Sequence, residues 1–116
     1  MLFLEYLQCS ACQKAKKWLD EHQIPYEDRH IVENNPTFEE LKDWYERSGL
    51  PLKKFFNTSG NIYKEMSLKD KLPQMDEEQQ LALLATDGML VKRPLVIADG
   101  FVLTGFKEAE WKEKML

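Results

Sequence analysis

Two cysteines near the start of the chain have the types and the spacing that could carry out chemistry. Cys9 and Cys12 enclose two small residues in the stretch CSAC, which follows an apolar run and opens a helical pattern. Such a pair can be a thiol-disulfide centre, half of a zinc site with four ligands, or two thiols packed in a core. The strands and helices predicted around the two cysteines help to choose among these three interpretations.

The composition narrows the classes of protein to consider. With 116 residues, 43% hydrophobic and 31% charged, the chain is typical of a single folded domain over residues 1–116. The apolar N-terminus carries Glu5 and lacks a basic leading region, so we expect a cytoplasmic location and no secretory signal. No apolar run is long enough to cross a membrane. The net charge of −4 argues against direct binding of nucleic acid.

The cysteines lie where a predicted strand meets a predicted helix. Residues 2–7 are an apolar run, and a set at helical spacing after the cysteines predicts one helix face toward a core. The members of this set are Ala15, Trp18, Leu19 and His22. Ile24-Pro25 breaks the pattern, and the mixed polar stretch 26–32 predicts a second strand at a sheet edge. A βαβ unit with a right-handed crossover follows from this order.

The middle of the chain, residues 35–89, predicts a helical insertion. Thr37 with Glu40 matches a capping box, and Gly49 ends the helix that follows. The further predicted helices cover 52–57, the neighbourhood of 67–71, and a segment from Asp76 to Asp87-Gly88, with a turn at 59–61.

The last part of the chain returns to strands. Residues 94–98 are apolar, Asp99-Gly100 is a dipeptide favoured in hairpin turns, and 101–103 predict the partner strand. A helix over 107–115 ends the chain.

The order of elements predicts the fold class. It is α/β and thioredoxin-like, β-α-β, helical insertion, β-β-α, around a mixed four-stranded sheet. Residues 1–34 and 90–116 would form the thioredoxin-like core, with the insertion at 35–89 between them.

This arrangement favours the redox interpretation of the two cysteines. A thiolate at a helix N-terminus is stabilised by unpaired backbone N–H groups and the helix dipole, so Cys9 is the expected nucleophile. Cys12, one turn further in, is placed to attack a mixed disulfide at Cys9. A zinc site would have only His22 and His30 as further ligands, and both are expected to be structural, so we expect no metal and no cofactor.

Arg93 and Pro94 form a second feature at the start of an apolar strand. In a thioredoxin-like arrangement this strand lies beside the cysteines, and we expect Pro94 to be cis there. Arg93 is then either an anion clamp or a surface cation, and Pro94 could also simply open an edge strand.

The chain resembles the arsenate reductase ArsC/Spx family in four segments, CSACQKAKKWLDEHQIPYEDRHI, ELKDWYERSGLPLKKFFNTSG, DGMLVKRPLVI and TGFKEAEW. The resemblance covers essentially the whole chain. It implies that Cys9 is the attacking cysteine, that Cys12 is the second cysteine of the Spx redox switch, and that Arg93 helps to hold an oxyanion. The other residues expected to bind substrate are Ser10, Ala11, Lys53 and Pro94.

Two features separate the chain from the reductases within that family. Lys53 and Gly105 stand at positions where the reductases use arginine, and lysine gives only a point charge in place of a bidentate fork. The reductases also take their resolving thiol from glutathione and glutaredoxin, whereas this chain has Cys12.

The functional hypothesis is therefore a thiol-disulfide oxidoreductase that reduces a disulfide or an oxyanion. Its expected partner is a thiol such as glutathione, glutaredoxin or thioredoxin. An Spx-type redox-sensing transcription regulator that binds the RNA polymerase α subunit is the alternative. A glutaredoxin-dependent arsenate reductase is a further one.

Overall fold

A mixed four-stranded sheet forms the centre of the structure, a computed structural model that describes residues 1–116. The strands are β1 (Leu2–Glu5), β2 (Glu27–His30), β3 (Leu95–Ile97) and β4 (Val102–Thr104). Their order is β2-β1-β3-β4, with β1 parallel to β2 and antiparallel to β3, and β3 antiparallel to β4. This confirms the α/β, thioredoxin-like prediction, including the edge position of the second strand.

Six α-helices surround the sheet. They are α1 (Ser10–Glu21), α2 (Phe38–Ser48), α3 (Asn61–Glu65), α4 (Leu68–Lys71), α5 (Glu77–Leu84) and α6 (Glu108–Met115). Short 3₁₀ segments cover Leu52–Phe55, Leu72–Gln74 and Gly88–Leu90. None of the helices is long and apolar enough to span a membrane.

The buried face of α1 agrees with the sequence pattern except at its last member. Ala15, Trp18 and Leu19 are buried, as expected. The expected burial of His22 is wrong, because the helix ends before this residue and His22 is exposed at the C-cap. Its Nδ1 lies 2.8 Å from the Trp18 carbonyl oxygen, which also accepts the His22 backbone amide hydrogen at 3.1 Å.

The start of α2 is fixed by the predicted capping box. The Thr37 hydroxyl accepts the Glu40 amide hydrogen, and the Glu40 carboxylate accepts the Thr37 amide hydrogen. Arg29 on β2 donates to both oxygens of Glu40, at 2.7 and 2.9 Å. These hydrogen bonds from Arg29 are the main reason why the pKa of Glu40 falls to about 2. The pair ties the first helix of the insertion to the sheet.

Three local predictions in the insertion need correction. The predicted helix over 52–57 is a 3₁₀ segment that ends at Phe55, because Phe56 is extended and pairs with Val91. Asn61 begins α3, so it is not part of the turn predicted at 59–61. Finally, α5 ends at Leu84, and Asp87 instead caps the Gly88–Leu90 segment by accepting the Met89 amide hydrogen at 2.8 Å.

Gly88 is the point where the insertion returns to the sheet. A Cβ at this position would lie 2.0 Å from the carbonyl oxygen of Ile31, so only glycine allows this approach. The contact holds the segment that leads to β3 against the end of β2.

Two hydrophobic clusters lie on opposite faces of the sheet. Phe3 on β1 belongs to a cluster of seven buried residues with α1 and α6, whose Trp111 is fully buried. Leu4, the next residue, belongs to a cluster of 17 buried residues made with the insertion. All three tryptophans, Trp18, Trp44 and Trp111, are buried. The insertion therefore supplies ten of the 17 residues of the larger cluster and none of the smaller one. The division into core and insertion stays a prediction.

Candidate redox site

Cys9 is the N-cap of α1. Its backbone is extended, with φ −88° and ψ 119°, and its amide donates to the Tyr6 carbonyl at 3.0 Å. The Cys9 sulfur accepts the Cys12 amide hydrogen with an N···S distance of 3.3 Å. The sulfur thus occupies the place where a capping serine or aspartate oxygen would normally lie.

These contacts make the Cys9 thiolate easier to form. Partial burial opposes ionisation, but hydrogen bonds from the thiol and the amide of Cys12 outweigh it, so the pKa of Cys9 is lowered from its ordinary value of 9.0. The charge of Arg93 and the amide of Ala11 lower the pKa further. This is the direction expected for a thiol at a helix N-terminus.

Cys12 lies inside the protein, next to Cys9. It is 2% exposed, and burial is the main reason why its pKa rises to about 12. The nearby Cys9 raises the pKa as well, while the backbone amide of Tyr6 lowers it. Both cysteines are free thiols.

Arg93 lies beside the two thiols, and its guanidinium packs over the ring of Tyr6. Its guanidinium carbon lies 5.0 Å from the centre of that ring, and Nη1 donates to the Met89 carbonyl at 3.4 Å. Nε is buried and has no hydrogen-bond partner. The guanidinium therefore keeps a donor for an anion at this place. The Arg93–Pro94 peptide bond is cis, as expected.

A cavity of about 420 Å³ opens in front of Cys9. The sequence-predicted residues Ser10, Ala11 and Arg93 line it together with Cys9. Such a volume is within the range of small-molecule sites.

Several residues of the cavity were not predicted. They include Asn57, Asn61, Met89 and Lys92. The run of Asn, Ser and Gly at 57–61 is typical of loops that bind ligands, and Lys92 is next to Arg93, so both signals were present in the sequence.

Two predicted site residues lie elsewhere. Lys53 does not line the Cys9 cavity but a neighbouring groove. Pro94 is buried behind Arg93, and its carbonyl accepts the Gly105 amide hydrogen at 2.8 Å. The side chains of His, Cys, Asp and Glu form no cluster of three or more that could hold a metal ion.

Comparisons with known proteins identify relatives of the whole chain. A model of the ArsC family matches residues 4–114. The structure of an ArsC family related protein from Bacteroides fragilis has a TM-score of 0.94 and 64% sequence identity, and the match covers 97% of this chain and 94% of that one. YusI of Bacillus subtilis (strain 168) is 54% identical, over 97% of this chain and 96% of YusI.

A regulator is also among the relatives. The global transcriptional regulator Spx of Staphylococcus epidermidis is 29% identical, over 88% of this chain and 76% of Spx. The match of the family model to nearly the full length carries the assignment. The chain belongs to the ArsC family.

Proposed function

We propose that the protein is a thiol-disulfide oxidoreductase in which Cys9 is the nucleophile and Cys12 is the resolving thiol. The observation that supports this assignment is the difference between the two sulfurs. Cys9 borders a cavity and has a lowered pKa, whereas Cys12 is buried and has a pKa of about 12. At neutral pH the thiolate, which is the attacking species, is therefore concentrated on Cys9.

The first step forms a mixed disulfide. The Cys9 thiolate attacks one sulfur of a substrate disulfide, a new S–S bond forms, and the substrate's second sulfur leaves as a thiolate. Arg93 stands beside the reacting sulfur and its charge stabilises the thiolate before the attack.

The second step uses Cys12. The negative charge of Cys9 disappears once its sulfur is in the mixed disulfide, so one cause of the raised pKa of Cys12 is removed at that moment. The Cys12 thiol gives its proton to the substrate thiolate released in the first step. The resulting Cys12 thiolate attacks the Cys9 sulfur, the internal Cys9–Cys12 disulfide forms, and the remaining substrate sulfur leaves as a thiolate. A thiol partner such as glutathione, glutaredoxin or thioredoxin would reduce the internal disulfide again.

Arsenate reduction is a second candidate, and one observation favours it. The buried Nε of Arg93 has no partner, and a guanidinium binds oxyanions well. Against it, Lys53 lines a different groove, so Arg93 would hold the anion without a second cation from that position.

An Spx-type regulator is a third candidate, supported by the similarity to Spx and by the paired cysteines. In that function the same two thiols would form a switch, and the RNA polymerase α subunit would be the partner.

The experiment is an intact-mass measurement on the Cys12→Ser variant with a disulfide-bonded peptide as substrate. We expect a mixed disulfide at Cys9 to accumulate in this variant, because the resolving thiol is absent. The wild type should instead gain an internal disulfide and release both peptide thiols.

The control is Cys9→Ser, which should form no adduct although Cys12 is intact. An adduct on Cys12 in that control, at the rate seen for Cys12→Ser, would reverse the roles of the two cysteines. No adduct in any variant would end the proposal.

A further inference from the structure

A second groove lies next to the Cys9 cavity, and all of its charged side chains are lysines. It has a volume of about 440 Å³ and lies between the 3₁₀ segment Leu52–Phe55 and the start of α6. We call it the lysine groove and define it by Lys53, Lys54, Lys92 and Lys107. This concentration of positive charge occurs in a chain whose net charge is −4.

None of these four ammonium groups is neutralised by the protein. The ion pairs of the structure involve Lys16, Lys17, Arg29 and Arg47, and no carboxylate oxygen lies within 4.0 Å of a groove lysine. Like charges that share one concave surface repel each other and raise the local potential, so the groove attracts anions.

The backbone surroundings of two of these lysines, Lys92 and Lys107, are specific. Gly105 has φ +75°, and a Cβ added to it would lie 3.0 Å from Cε of Lys92, so the missing side chain makes room for the lysine stem. Lys107 is the N-cap of α6 and forms no capping hydrogen bond. A cation at this end opposes the helix dipole, so Lys107 does not stabilise the helix that it precedes.

The lysine groove and the Cys9 cavity share one wall. In this wall the Lys92 amide donates to the Phe55 carbonyl at 2.8 Å, and the Asn57 amide donates to the Leu90 carbonyl at 2.8 Å. Lys92 lines both spaces. A ligand whose sulfur reacts at Cys9 can therefore extend across this wall into the groove.

We propose that the lysine groove binds acidic residues beside the reacting cysteine of a disulfide-bonded protein partner. The inference rests on the proposed redox function of Cys9. The ligand must carry a sulfur for Cys9 and negative charge for the groove, and two adjoining spaces of about 420 and 440 Å³ suit an extended segment. A nucleic acid offers the charge but no sulfur. An acidic peptide segment that carries a disulfide meets both requirements.

The reaction step is the first exchange of the proposed mechanism. The Cys9 thiolate attacks the cysteine sulfur of the acidic segment, the segment's S–S bond breaks, and the other sulfur leaves as a thiolate. The groove takes no part in the bond changes; it increases the rate of encounter, which depends on ionic strength.

The experiment measures the rate of this step with three peptides on the Cys12→Ser variant. Each peptide has one central cysteine activated as a mixed disulfide with neutral thiopyridine, and the flanks are acidic, neutral or basic. We expect the acidic peptide to react roughly tenfold faster than the neutral one at low ionic strength, and the basic peptide to react slower than both. High salt should bring the three rates together.

A matched pair of double variants locates the effect. In Lys54→Gln with Lys107→Gln, the ratio of the acidic to the neutral rate should fall toward about one. The control is Lys112→Gln with Lys114→Gln, two exposed lysines on α6 that do not line the groove, and it should keep the ratio of the parent. Both double variants change the net charge equally, so a general charge effect would lower both ratios and would overturn the inference.

The outcomes separate the inference from the proposed function. Equal rates for all three peptides would overturn the lysine groove as a docking site while leaving Cys9 as the nucleophile. No reaction with any peptide would overturn the redox function and the inference with it. Binding of a single-stranded oligonucleotide that the Lys54/Lys107 variant loses, without any preference among the peptides, would show that the groove takes a nucleic acid and that the proposal is wrong.

Discussion

Cys9 and Cys12 lie in the first turn of α1 but in different environments: Cys9 borders a cavity, whereas Cys12 is buried. Both sulfurs lie at the same helix end, yet the pKa of Cys9 is lowered and that of Cys12 is raised to about 12. The unpaired amides of Ala11 and Cys12 at this helix end point to the Cys9 sulfur, so the helix N-terminus favours the thiolate of Cys9.

The difference comes from burial and from the direction of the hydrogen bonds. The thiol and the amide of Cys12 both donate to Cys9, and the charge of Arg93 acts in the same direction. The pKa of Cys12 is raised mainly by burial, and the only backbone group that lowers this pKa is the amide of Tyr6. In the proposed mechanism, the resolving Cys12 therefore also helps to activate Cys9.

The first test of this comparison removes the donor thiol. Cys12→Ala should raise the pKa of Cys9, because the thiol of Cys12 contributes the largest lowering effect. Cys12→Ser keeps a hydrogen-bond donor of similar size, so its effect should be the smaller of the two. The pH dependence of the alkylation rate of Cys9, or the ultraviolet absorbance of its thiolate, measures the change.

The control for this test is the fully unfolded protein, in which both variants should have the same thiol pKa. A pKa of Cys9 that stays the same in Cys12→Ala would mean that the hydrogen bond between the two thiols does not contribute, and that the amides and Arg93 are sufficient.

A smaller effect is expected from Arg93. Arg93→Gln removes the positive charge and should raise the pKa of Cys9, but less than Cys12→Ala does, since the charge of Arg93 contributes less than the hydrogen bonds from Cys12. Arg93→Lys keeps the charge, so the pKa of Cys9 should stay close to that of the wild type when it is measured by the same titration.

The lysine variant also distinguishes the two roles of Arg93. Lysine lacks the planar fork of the guanidinium, so Arg93→Lys should weaken the binding of arsenate or phosphate near Cys9 while the thiol titration changes little. If Arg93→Gln and Arg93→Lys raise the pKa equally, packing against Tyr6 and not charge is the relevant contribution of Arg93.

Local signals in the sequence predicted the framework of this site. The capping box at Thr37 and the order of strands and helices both depend on residues close together in the chain. For the same reason, the place of Cys9 at the cap of α1 could be predicted.

The cavity could not be predicted to the same degree. Its walls come from segments that approach each other only after folding, as when Gly88 packs against Ile31 and Asn57 pairs with Leu90. The position of Lys53 in the lysine groove depends on how the Leu52–Phe55 segment packs against Val91 and Lys92, and no local pattern determines that.

Glu5 is a second group whose pKa is raised mainly by burial, as that of Cys12 is. This carboxyl is 3% exposed, and its Oε2 has no hydrogen-bond partner and lies 3.7 Å from Nζ of Lys16. Burial, and next the neighbouring Asp28, raise the pKa of Glu5 from 4.5 to about 7. As with Cys12, the protein interior disfavours the charged form.

The consequence is a loss of stability as the pH rises. Between about pH 4.5 and 7 the folded protein holds a proton on Glu5 that the unfolded chain has released, so the free energy of unfolding decreases with pH in this window. The decrease should be on the order of 3 kcal/mol, complete by about pH 8. Glu5→Gln cannot ionise, so urea unfolding of this variant at pH 5 and pH 8 should lack that part of the decrease, whereas Glu33→Gln, an exposed control, should keep it. The pKa of Cys9 should not change in Glu5→Gln, because Glu5 is not among the groups that set it. A changed pKa of Cys9 in this variant would show that Glu5 and Cys9 are linked through β1.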